Sequence, residues 1–387
     1  MTTYNITSQS DQDAFYQLYL YAFNKTDSAR RHEFFDARFN HAANYGIHDG
    51  TELVSALYSL PFTVNFHGTE YNMRGIGDVC SAPEYSGRGG AGTLLKTALN
   101  DMYTEGTTLS YLAPFAFTYY RRFGYEQVFN HTVSTLATSN LPRFDRSTAS
   151  GKVTREPLRT ALTRVAAIYA ANQPTRGGLI RADWWWDYLV LKNDWDVGIY
   201  TDADGQDRGY VIYERTPEAL TIKELIAPTV AEFTALRQFI LKHGNTFAHI
   251  VLDAPNLDYT GDLLPEPGLA TTTIEPYMMA RIVNLQAFLD NYPQPAVTKF
   301  TVAVTDPVIP ENQGLWQFGP AGYQRLAETS DITADVTLSI QALTKILFGA
   351  QSDHVLHRTG EIQATASGIQ GLDALSVKIT PSLVDYF

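Results

Sequence analysis

The feature that most constrains the fold is a glycine-rich loop between an expected strand and an expected helix. Residues 78–92 read Asp-Val-Cys-Ser-Ala-Pro-Glu-Tyr-Ser-Gly-Arg-Gly-Gly-Ala-Gly, and an amphipathic run over 93–99 follows. The four glycines let the backbone turn tightly and approach a ligand closely. Free N–H groups at the positive end of a helix favour an anion such as a pyrophosphate. The loop therefore predicts an anion-binding site at the start of a helix.

The order of residues in this loop narrows the prediction. It is neither Gly-x-Gly-x-x-Gly nor a Walker loop, since no Gly-Lys-Ser/Thr follows. A lead-in from Val79 to Pro83 precedes Ser-Gly-Arg-Gly-Gly-Ala at 86–91. Together they resemble the acetyl-CoA signature of the GCN5-related N-acetyltransferases (GNAT), Gln/Arg-x-x-Gly-x-Gly/Ala, with Ser86 in place of the usual Gln or Arg. An ordinary strand-to-helix turn is the alternative.

Composition and charge bound what the chain can be. Its 387 residues suggest two or three domains, at the usual ~150 residues each. The 29 Lys and Arg against 41 Asp and Glu give a net charge of −12. This charge argues against nucleic acid or an anionic membrane and is compatible with cationic substrates or with plain solubility. The single cysteine excludes an intrachain disulfide, and we expect a soluble cytoplasmic protein because no signal sequence or long apolar run is present.

The first 150 residues predict two helices, an antiparallel run of strands, the glycine loop with its helix, and further strands. This is the N-terminal order of the GNAT fold. Ser10 is the expected cap of the first helix. A polar stretch over 136–155 predicts a domain boundary near residue 150. The expected helices are 7–24, 28–39 and 117–122, and the expected strands are 44–48, 52–66, 70–79, 108–112 and 127–133.

The segment 151–285 repeats this order in outline. Leu225 to Pro228 corresponds to Val79 to Pro83, but Thr229 to Glu232 contains no glycine that would open the loop. We therefore predict a degenerate GNAT-like domain that no longer binds coenzyme A. For the three consecutive tryptophans at 184–186, core or interface packing is favoured over an aromatic wall.

The whole chain resembles one group of acetyltransferases. Residues 286–387 resemble a sterol-carrier-like α+β domain. Over nearly its full length the chain resembles the Eis ("enhanced intracellular survival") family. The features that carry this resemblance are the three-part order, the string Tyr-Tyr-Arg-Arg-Phe-Gly-Tyr at 119–125 and the terminal Asp-Tyr-Phe. The resemblance implies an α+β chain with tandem GNAT domains, 1–150 and 151–285, before the third domain. It also implies a hexamer, with aminoglycosides as acceptors in some members.

The resemblance implies a reaction and two catalytic groups. An amine attacks the thioester of acetyl-CoA directly, so a base must take its proton and an acid must protonate the leaving thiolate. By position these are the α-carboxylate of Phe387 and the phenol of Tyr120. A free α-carboxylate with a pKa of ~3.5 is a weak base, so burial or a water relay would have to assist it.

Other residues stay open as candidates. Tyr119 or Tyr125 could replace Tyr120 as the acid, and Asp78 is the rival base, with Glu52 and His48 as weaker ones. Cys80 as an acyl-carrying nucleophile is disfavoured because no histidine falls near it in the sequence.

The expected coenzyme contacts follow the loop and its flanks. Backbone groups of the strand should bind the pantetheine, N–H groups of the loop should bind the pyrophosphate, and the Arg88 side chain should lie near a phosphate. No metal is expected. The residues are Val79, Cys80, Ser81, Gly87, Arg88, Gly89, Gly90, Ala91 and Gly92, together with Phe115 and Ala116 by family alignment.

The sequence thus predicts an acetyl-CoA-dependent N-acetyltransferase. Its acceptor would be an aminoglycoside-like polyamine, another small amine or a lysine side chain. The alternative is a catalytically silent protein whose sterol-carrier-like domain binds an apolar ligand.

Overall fold

The structure is a computed structural model that describes residues 4–141, 151–255, 266–293, 297–327 and 332–387. It confirms the α+β class. The described α-helices are α1 (Gln9–Ala22), α2 (Ala29–His41), α3 (Gly90–Thr104), α4 (Phe117–Arg121), α5 (Leu158–Ala171), α6 (Asp183–Lys192), α7 (Val230–Leu241), α8 (Leu285–Asn291), α9 (Ile340–Leu347), α10 (Asp353–Arg358) and α11 (Ala366–Leu375).

The strands form three sheets. They are β1 (Ala43–Asp49), β2 (Glu52–Phe66), β3 (Thr69–Ser81), β4 (Leu109–Leu112), β5 (Glu126–Gln127), β6 (Asn130–Ala137), β7 (Lys152–Pro157), β8 (Arg176–Ile180), β9 (Asp196–Thr201), β10 (Asp207–Arg215), β11 (Ala219–Ile226), β12 (His249–Ala254), β13 (Ala270–Pro276), β14 (Met279–Ile282), β15 (Phe300–Thr305), β16 (Gly314–Gly319), β17 (Gly322–Arg325), β18 (Val336–Ser339) and β19 (Gln363–Ala364).

The cap of the first helix lies two residues before the expected one. Ser8 is the N-cap of α1, and its Oγ accepts a hydrogen bond from the Asp11 N–H at 3.1 Å. The Asp11 carboxylate accepts in return from the Ser8 N–H at 3.3 Å. This reciprocal pair satisfies two N–H groups, so Ser8 outcompetes Ser10, and the prediction of Ser10 is wrong.

The first sheet has the strand order β1-β2-β3-β4-β14-β5, with β8 beside β2. β3 and β4 are parallel, and their register ends at the pair Ile76–Leu112. Beyond it β3 continues to Ser81 paired with β2, through a bulge where Asp78 has a φ of +47°. The parallel strands therefore separate after Ile76, and one backbone edge of β3 stays open within the described chain.

The first two sheets exchange strands. The second sheet has the order β13-β6-β12-β11-β10-β9-β7, so β6 leaves the N-terminal segment to join it. In return β8 and β14 complete the first sheet. The single strand expected over 127–133 is wrong, because it divides between β5 and β6 in different sheets. Residues 142–150 lie outside the described ranges, and the boundary near residue 150 stays a prediction.

The third sheet has the order β17-β16-β15-β18-β19. Helix α9 packs against β14 and β5 of the first sheet and also against β15 and β18 of the third. A fully buried ion pair reinforces this junction, since Arg281 on β14 binds Asp306 at 2.6 Å. The C-terminal segment is thus fixed against the first sheet.

The consecutive tryptophans belong to the core. Trp185 and Trp186 on α6 are buried, and Trp184 stacks on His41 and Phe62, with ring centroids 4.5 and 5.5 Å apart. The expectation of core packing is confirmed. None of the helices in the described ranges has the length and apolar character needed to cross a bilayer.

Candidate active site

The glycine loop opens the start of α3. Pro83–Tyr85 form a 3₁₀ turn, after which Gly87 and Gly89 have φ of +79° and +86°, a region that other residues rarely adopt. Gly89 is the N-cap of α3, and no side chain of the described residues caps this end. The first N–H groups of α3 are therefore available to an anion.

A cavity of about 480 Å³, which we call the loop cavity, lies against this loop and the open edge of β3. Its lining includes seven residues that were not predicted as coenzyme contacts: Tyr85, Ser86, Thr93, Lys96, Tyr119, Arg122 and Phe123. The predicted coenzyme residues that line it are Val79, Cys80, Ser81, Gly87, Gly89, Gly90, Ala91, Gly92 and Phe115.

Two predicted coenzyme residues are not part of this lining. The Arg88 guanidinium lies over the Tyr85 ring, 4.7 Å from its centroid, and the Arg88 N–H donates to the Tyr85 carbonyl oxygen at 3.2 Å. Ala116 is the N-cap of α4. The sequence reasoning missed Lys96 and Arg122, whose positive charges suit phosphate groups. Their positions on the helix after the loop and in the 119–125 string are the signals that could have identified them.

A second cavity of about 310 Å³ adjoins the loop cavity and includes the C-terminus. We call it the tail cavity. It shares Val79 and Phe115 with the loop cavity. Its other lining residues are Tyr19, Phe23, Lys25, Arg31, Phe34, Arg38, Ile76, Gly77, Asp78, Ala113, Tyr120, Tyr188, Lys192, Tyr386 and Phe387.

The three candidate tyrosines lie in different places. Tyr120 lines the tail cavity, is 2% exposed, and makes no side-chain hydrogen bond within the described chain. Burial and the neighbouring Tyr119 raise the pKa of Tyr120. Tyr119 lines the loop cavity instead. The fully buried Tyr125 hydroxyl forms a hydrogen bond with Ser110 at 2.7 Å, so it is committed to the core.

The C-terminal ring is built into the first sheet. Phe387 is 5% exposed, and its ring centroid lies 4.9 Å from that of Phe62. A Cβ on Gly75 of β3 would lie 2.6 Å from two atoms of the Phe387 ring. Gly75 therefore provides the space that lets the terminal residue reach the cavity, and the sequence reasoning missed it. A glycine inside a strand often marks such a close approach.

The residues before Phe387 are held by hydrogen bonds and ion pairs to other segments. The Arg181 Nε donates to Asp385 at 2.9 Å, and the Trp185 indole N–H donates to the same oxygen at 2.7 Å. The His131 Nε2 donates to the Leu383 carbonyl oxygen at 3.0 Å. The Tyr277 hydroxyl donates to the Val384 carbonyl oxygen, also at 3.0 Å. Since these anchors lie far from the tail in sequence, no local sequence pattern predicts them.

Asp78, the rival base, also lines the tail cavity, but it has a cation beside it. Arg38 Nη2 lies 2.9 Å from Asp78 Oδ2, and Arg38 Nη1 also donates to the Tyr58 hydroxyl at 2.8 Å. Burial raises the pKa of the Asp78 carboxyl, and the Arg38 charge opposes that rise. The carboxylate is thus paired before any amine arrives.

The weaker candidates lie outside the tail cavity. His48 is 3.1 Å from Asp11, and Glu52 is exposed on a hairpin. Cys80 is buried, and burial raises the pKa of its thiol, which leaves it a poor nucleophile. In the described residues, one group could hold a metal ion, Asp353 with His354 and Asp373, and it lines neither cavity.

Family models match the chain in three places. Residues 3–128 and residues 177–282 each match an acetyltransferase (GNAT) domain, and residues 285–384 match a sterol carrier protein domain. The predicted arrangement of two GNAT domains before a sterol-carrier-like domain is confirmed. The fold and the site define an N-acetyltransferase of the GNAT class, a class that uses acetyl-CoA as co-substrate.

A comparison with solved structures identifies the family of the chain within this class. A probable N-acyltransferase of unknown function from Enterococcus faecalis V583 is 34% identical over 98% of both chains, with a TM-score of 0.90. This chain belongs to the same family of tandem-GNAT N-acetyltransferases with a sterol-carrier-like domain.

More distant structures share the fold over the full length of both chains. A GCN5-related N-acetyltransferase from Anabaena variabilis ATCC 29413 is 22% identical, with a TM-score of 0.86 and 100% coverage of each chain. Eis1 from Mycobacterium abscessus is 19% identical, with a TM-score of 0.83 and the same coverage. None of the curated proteins compared with this chain is significantly similar to it.

Proposed function

We propose that this protein transfers the acetyl group of acetyl-CoA directly to an amine, with Tyr120 as general acid and the Phe387 α-carboxylate as general base. One observation carries the proposal. Tyr120 and Phe387 line the same cavity, and this cavity meets the loop cavity at Val79 and Phe115.

The loop cavity would hold the coenzyme. The uncapped N–H groups of α3, with Lys96 and Arg122 beside them, suit the phosphates. The open edge of β3 after Ile76 suits the amides of the pantetheine arm, which would add to the sheet as an extra strand does. The thioester would then lie where the two cavities meet.

The tail cavity would hold the amine and move its protons. The Phe387 carboxylate accepts the proton that the amine loses as its nitrogen bonds to the acetyl carbon. The carbon–sulfur bond breaks, and Tyr120 donates its proton to the thiolate. Because burial raises the pKa of Tyr120, its phenol stays protonated at neutral pH, as a general acid must be.

The third domain then has a structural purpose, because it carries the chain back to the active site. The core beside its sheet is occupied by aromatic side chains of the domain itself, because Phe300, Trp316 and Phe318 are all buried. That packing gives the silent apolar-ligand alternative less support. The hexamer stays a prediction from the resemblance, which sedimentation would test, and the cytoplasmic location stays a prediction from the sequence.

Thiol release from acetyl-CoA with a panel of amines tests the proposal. The variants are Tyr120→Phe, deletion of Phe387 and a short C-terminal extension, with Tyr119→Phe as the matched control. General acid–base groups contribute about 10²–10⁴-fold to rates, so each of the three variants should lose at least about a hundredfold in kcat while it still binds acetyl-CoA.

Two results would contradict parts of the proposal. Turnover that survives both changes at the C-terminus would move the base to Asp78. A native chain that binds acetyl-CoA and releases no thiol with any amine would favour the alternative hypothesis, a catalytically silent binding protein.

A further inference from the structure

We propose that the acceptor amine carries an anionic group, a carboxylate or a phosphate, which the basic side chains of the tail cavity bind. This inference rests on the proposed function, because it takes the tail cavity as the acceptor site. The net charge of −12 is compatible with a cationic acceptor or with plain solubility, but the basic side chains give the tail cavity a charge of the opposite sign.

Four basic side chains line the tail cavity, contributed by three parts of the fold. Lys25 lies in the loop between α1 and α2, Arg31 and Arg38 lie on α2, and Lys192 is the last residue of α6. Among the described residues, the lining contains one acidic side chain, Asp78, and the α-carboxylate of Phe387 adds a second negative charge.

Arg38 forms an ion pair with a carboxylate of the cavity, and the other three cations do not. Arg38 pairs with Asp78 at 2.9 Å. Within the described chain, Lys25, Arg31 and Lys192 form no ion pair with a carboxylate. If the Phe387 carboxylate acts as the base, three positive charges face one negative charge. A cavity with such a surplus attracts an anion and repels a second cation.

These cations are held in place by neutral contacts. The Arg31 Nε donates to the Thr26 carbonyl oxygen at 2.7 Å, and its guanidinium lies 5.6 Å from the centroid of the Phe34 ring. The Lys192 ammonium lies 5.5 Å from the Tyr188 ring centroid and 5.9 Å from that of Tyr386. Such contacts orient a cation without neutralising it.

The loop that carries Lys25 also has a defined backbone. Asn24 has a φ of +48°, and the Lys25 N–H donates to the Leu20 carbonyl oxygen at 2.8 Å. Ser28 then caps α2, with its Oγ accepting from the Arg31 N–H at 3.2 Å. The backbone that carries Lys25 and Arg31 is therefore fixed beside the cavity, which reduces the cost of ordering this segment on binding.

Matched amines that have the same number of carbon atoms test the preference for a terminal charge. The first set is 4-aminobutyrate, butylamine and 1,4-diaminobutane, which differ in the charge at the end away from the reacting amine. The second pair, O-phosphoethanolamine and ethanolamine, tests a phosphate. We expect the anionic member of at least one set to have about tenfold higher kcat/KM than its neutral partner, with the diamine lowest.

A charge-reversed variant shows whether these residues cause the preference. The double variant Lys25→Glu/Arg31→Glu should lose the advantage of the anionic amine and favour the diamine, while its acetyl-CoA affinity stays within about twofold. Lys299→Glu makes an equivalent change at an exposed lysine that does not line the cavity, and it should keep the native preference.

The readouts separate this inference from the proposed function. Turnover that favours the diamine in the native chain, or a preference unchanged in the double variant, overturns the inference and leaves acetyl transfer standing. If no amine is acetylated, calorimetric titration of the same amines into the coenzyme-A-saturated protein decides. Binding that favours an anionic amine and needs Lys25 and Arg31 supports the inference while acetyl transfer fails, and binding without that preference overturns it.

Discussion

The two GNAT domains build the same strand-loop-helix unit and finish it in opposite ways. In the first, Gly89 is the N-cap of α3, and no side chain in the described ranges caps this helix. In the second, Thr229 caps α7 and forms a capping box with Glu232. The Glu232 carboxylate accepts from the Thr229 N–H at 3.0 Å, and the Thr229 Oγ1 accepts from the Ala231 N–H at 3.3 Å. One helix end is left for a ligand, and the other is satisfied by its own side chains.

The two domains also differ at the gap that opens where their parallel strands separate, between β3 and β4 in the first domain and between β11 and β12 in the second. In the second sheet the register of β11 and β12 ends at the pair Ile222–Leu252. Beyond it Glu224 binds Arg181 at 2.8 Å, and Arg181 binds Asp385 of the C-terminal tail. The second domain thus uses its gap to hold the tail that reaches the first domain. The comparison teaches that one fold supplies a ligand site or an anchor, depending on a few side chains.

Replacing the open cap should have the largest effect. Gly89→Glu places a side chain with a negative charge at a φ of +86°, where the phosphates would bind, and we expect acetyl-CoA binding to fall below detection in calorimetry. The native chain should bind one coenzyme per chain, because the α7 end is capped.

Gly205→Glu is the matched control for that variant. Gly205 has a φ of +79° in a hairpin of the second domain, with no atom near its missing Cβ. It carries the same backbone cost, about 1 kcal/mol, and should bind coenzyme normally. Native affinity in Gly89→Glu, or two coenzymes per native chain, would overturn the contrast between the domains.

Removing the anchor of the tail should have the next largest effect. Arg181 is 2% exposed and binds two buried carboxylates, so Arg181→Met should destabilise the fold by about 3–5 kcal/mol in urea unfolding, because it leaves buried charges unpaired. Arg164→Met is the control. Arg164 also binds two carboxylates, Glu156 and Asp207, but its side chain is 38% exposed, and its loss should cost about 1 kcal/mol or less.

A rescue variant separates charge from packing. Adding Glu224→Gln and Asp385→Asn to Arg181→Met should recover part of the lost stability, because neutral amides need no cation. If Arg181→Met unfolds like the Arg164→Met control, the buried pairs do not hold the tail.

Local patterns identified the loop and missed what lies across from it. The glycines of residues 86–92 and their absence at 229–232 are visible in the sequence. A helix cap is formed by residues that are close in sequence, so a local pattern can predict it. β14 has four residues, all buried, and inserts between strands from the first third of the chain. No periodicity in so short a strand specifies such a partner.

The tail was predicted through resemblance alone for a similar reason. Residues 376–387 form no helix or strand, so hydrophobic periodicity says nothing about them. Their position depends on single contacts with Arg181, His131 and Tyr277, each more than a hundred residues away. Gly75 was a local signal of this packing, because a glycine in a strand interior indicates a partner that approaches closely.

A methyl group at Gly75 should disturb catalysis more than folding. In Gly75→Ala the new Cβ would lie 2.6 Å from the Phe387 ring and 2.8 Å from the Phe62 ring. The terminal residue can move, so we expect kcat to fall by about tenfold or more while coenzyme affinity is unchanged. Gly268→Ala meets no atom within 4 Å and should match the native chain. Equal kcat in both variants would mean that the position of Phe387 does not matter.

The smallest effect we expect is a dependence of tail anchoring on pH. His131, which donates to Leu383 of the tail, also lies 2.7 Å from Asp253 on β12. Burial alone would raise the pKa of the Asp253 carboxyl, but hydrogen bonds and charge from His131 and Lys223 bring it below its ordinary value. A carboxyl with a lowered pKa stabilises the fold above its unfolded pKa of ~3.9, and this stability is lost as the pH falls through the lower folded pKa.

Urea midpoints measured from pH 7 down to pH 3 in the native chain and in Asp253→Asn test this sign. The native chain should be more stable at pH 7, by about 1 kcal/mol or less, and the difference should shrink below pH ~4. Asp253→Asn should also lower kcat at pH 7, because the His131 ring that holds Leu383 loses its charged partner. An acid-induced loss of stability without any change in kcat would show that Asp253 supports the second sheet and does not help to anchor the tail.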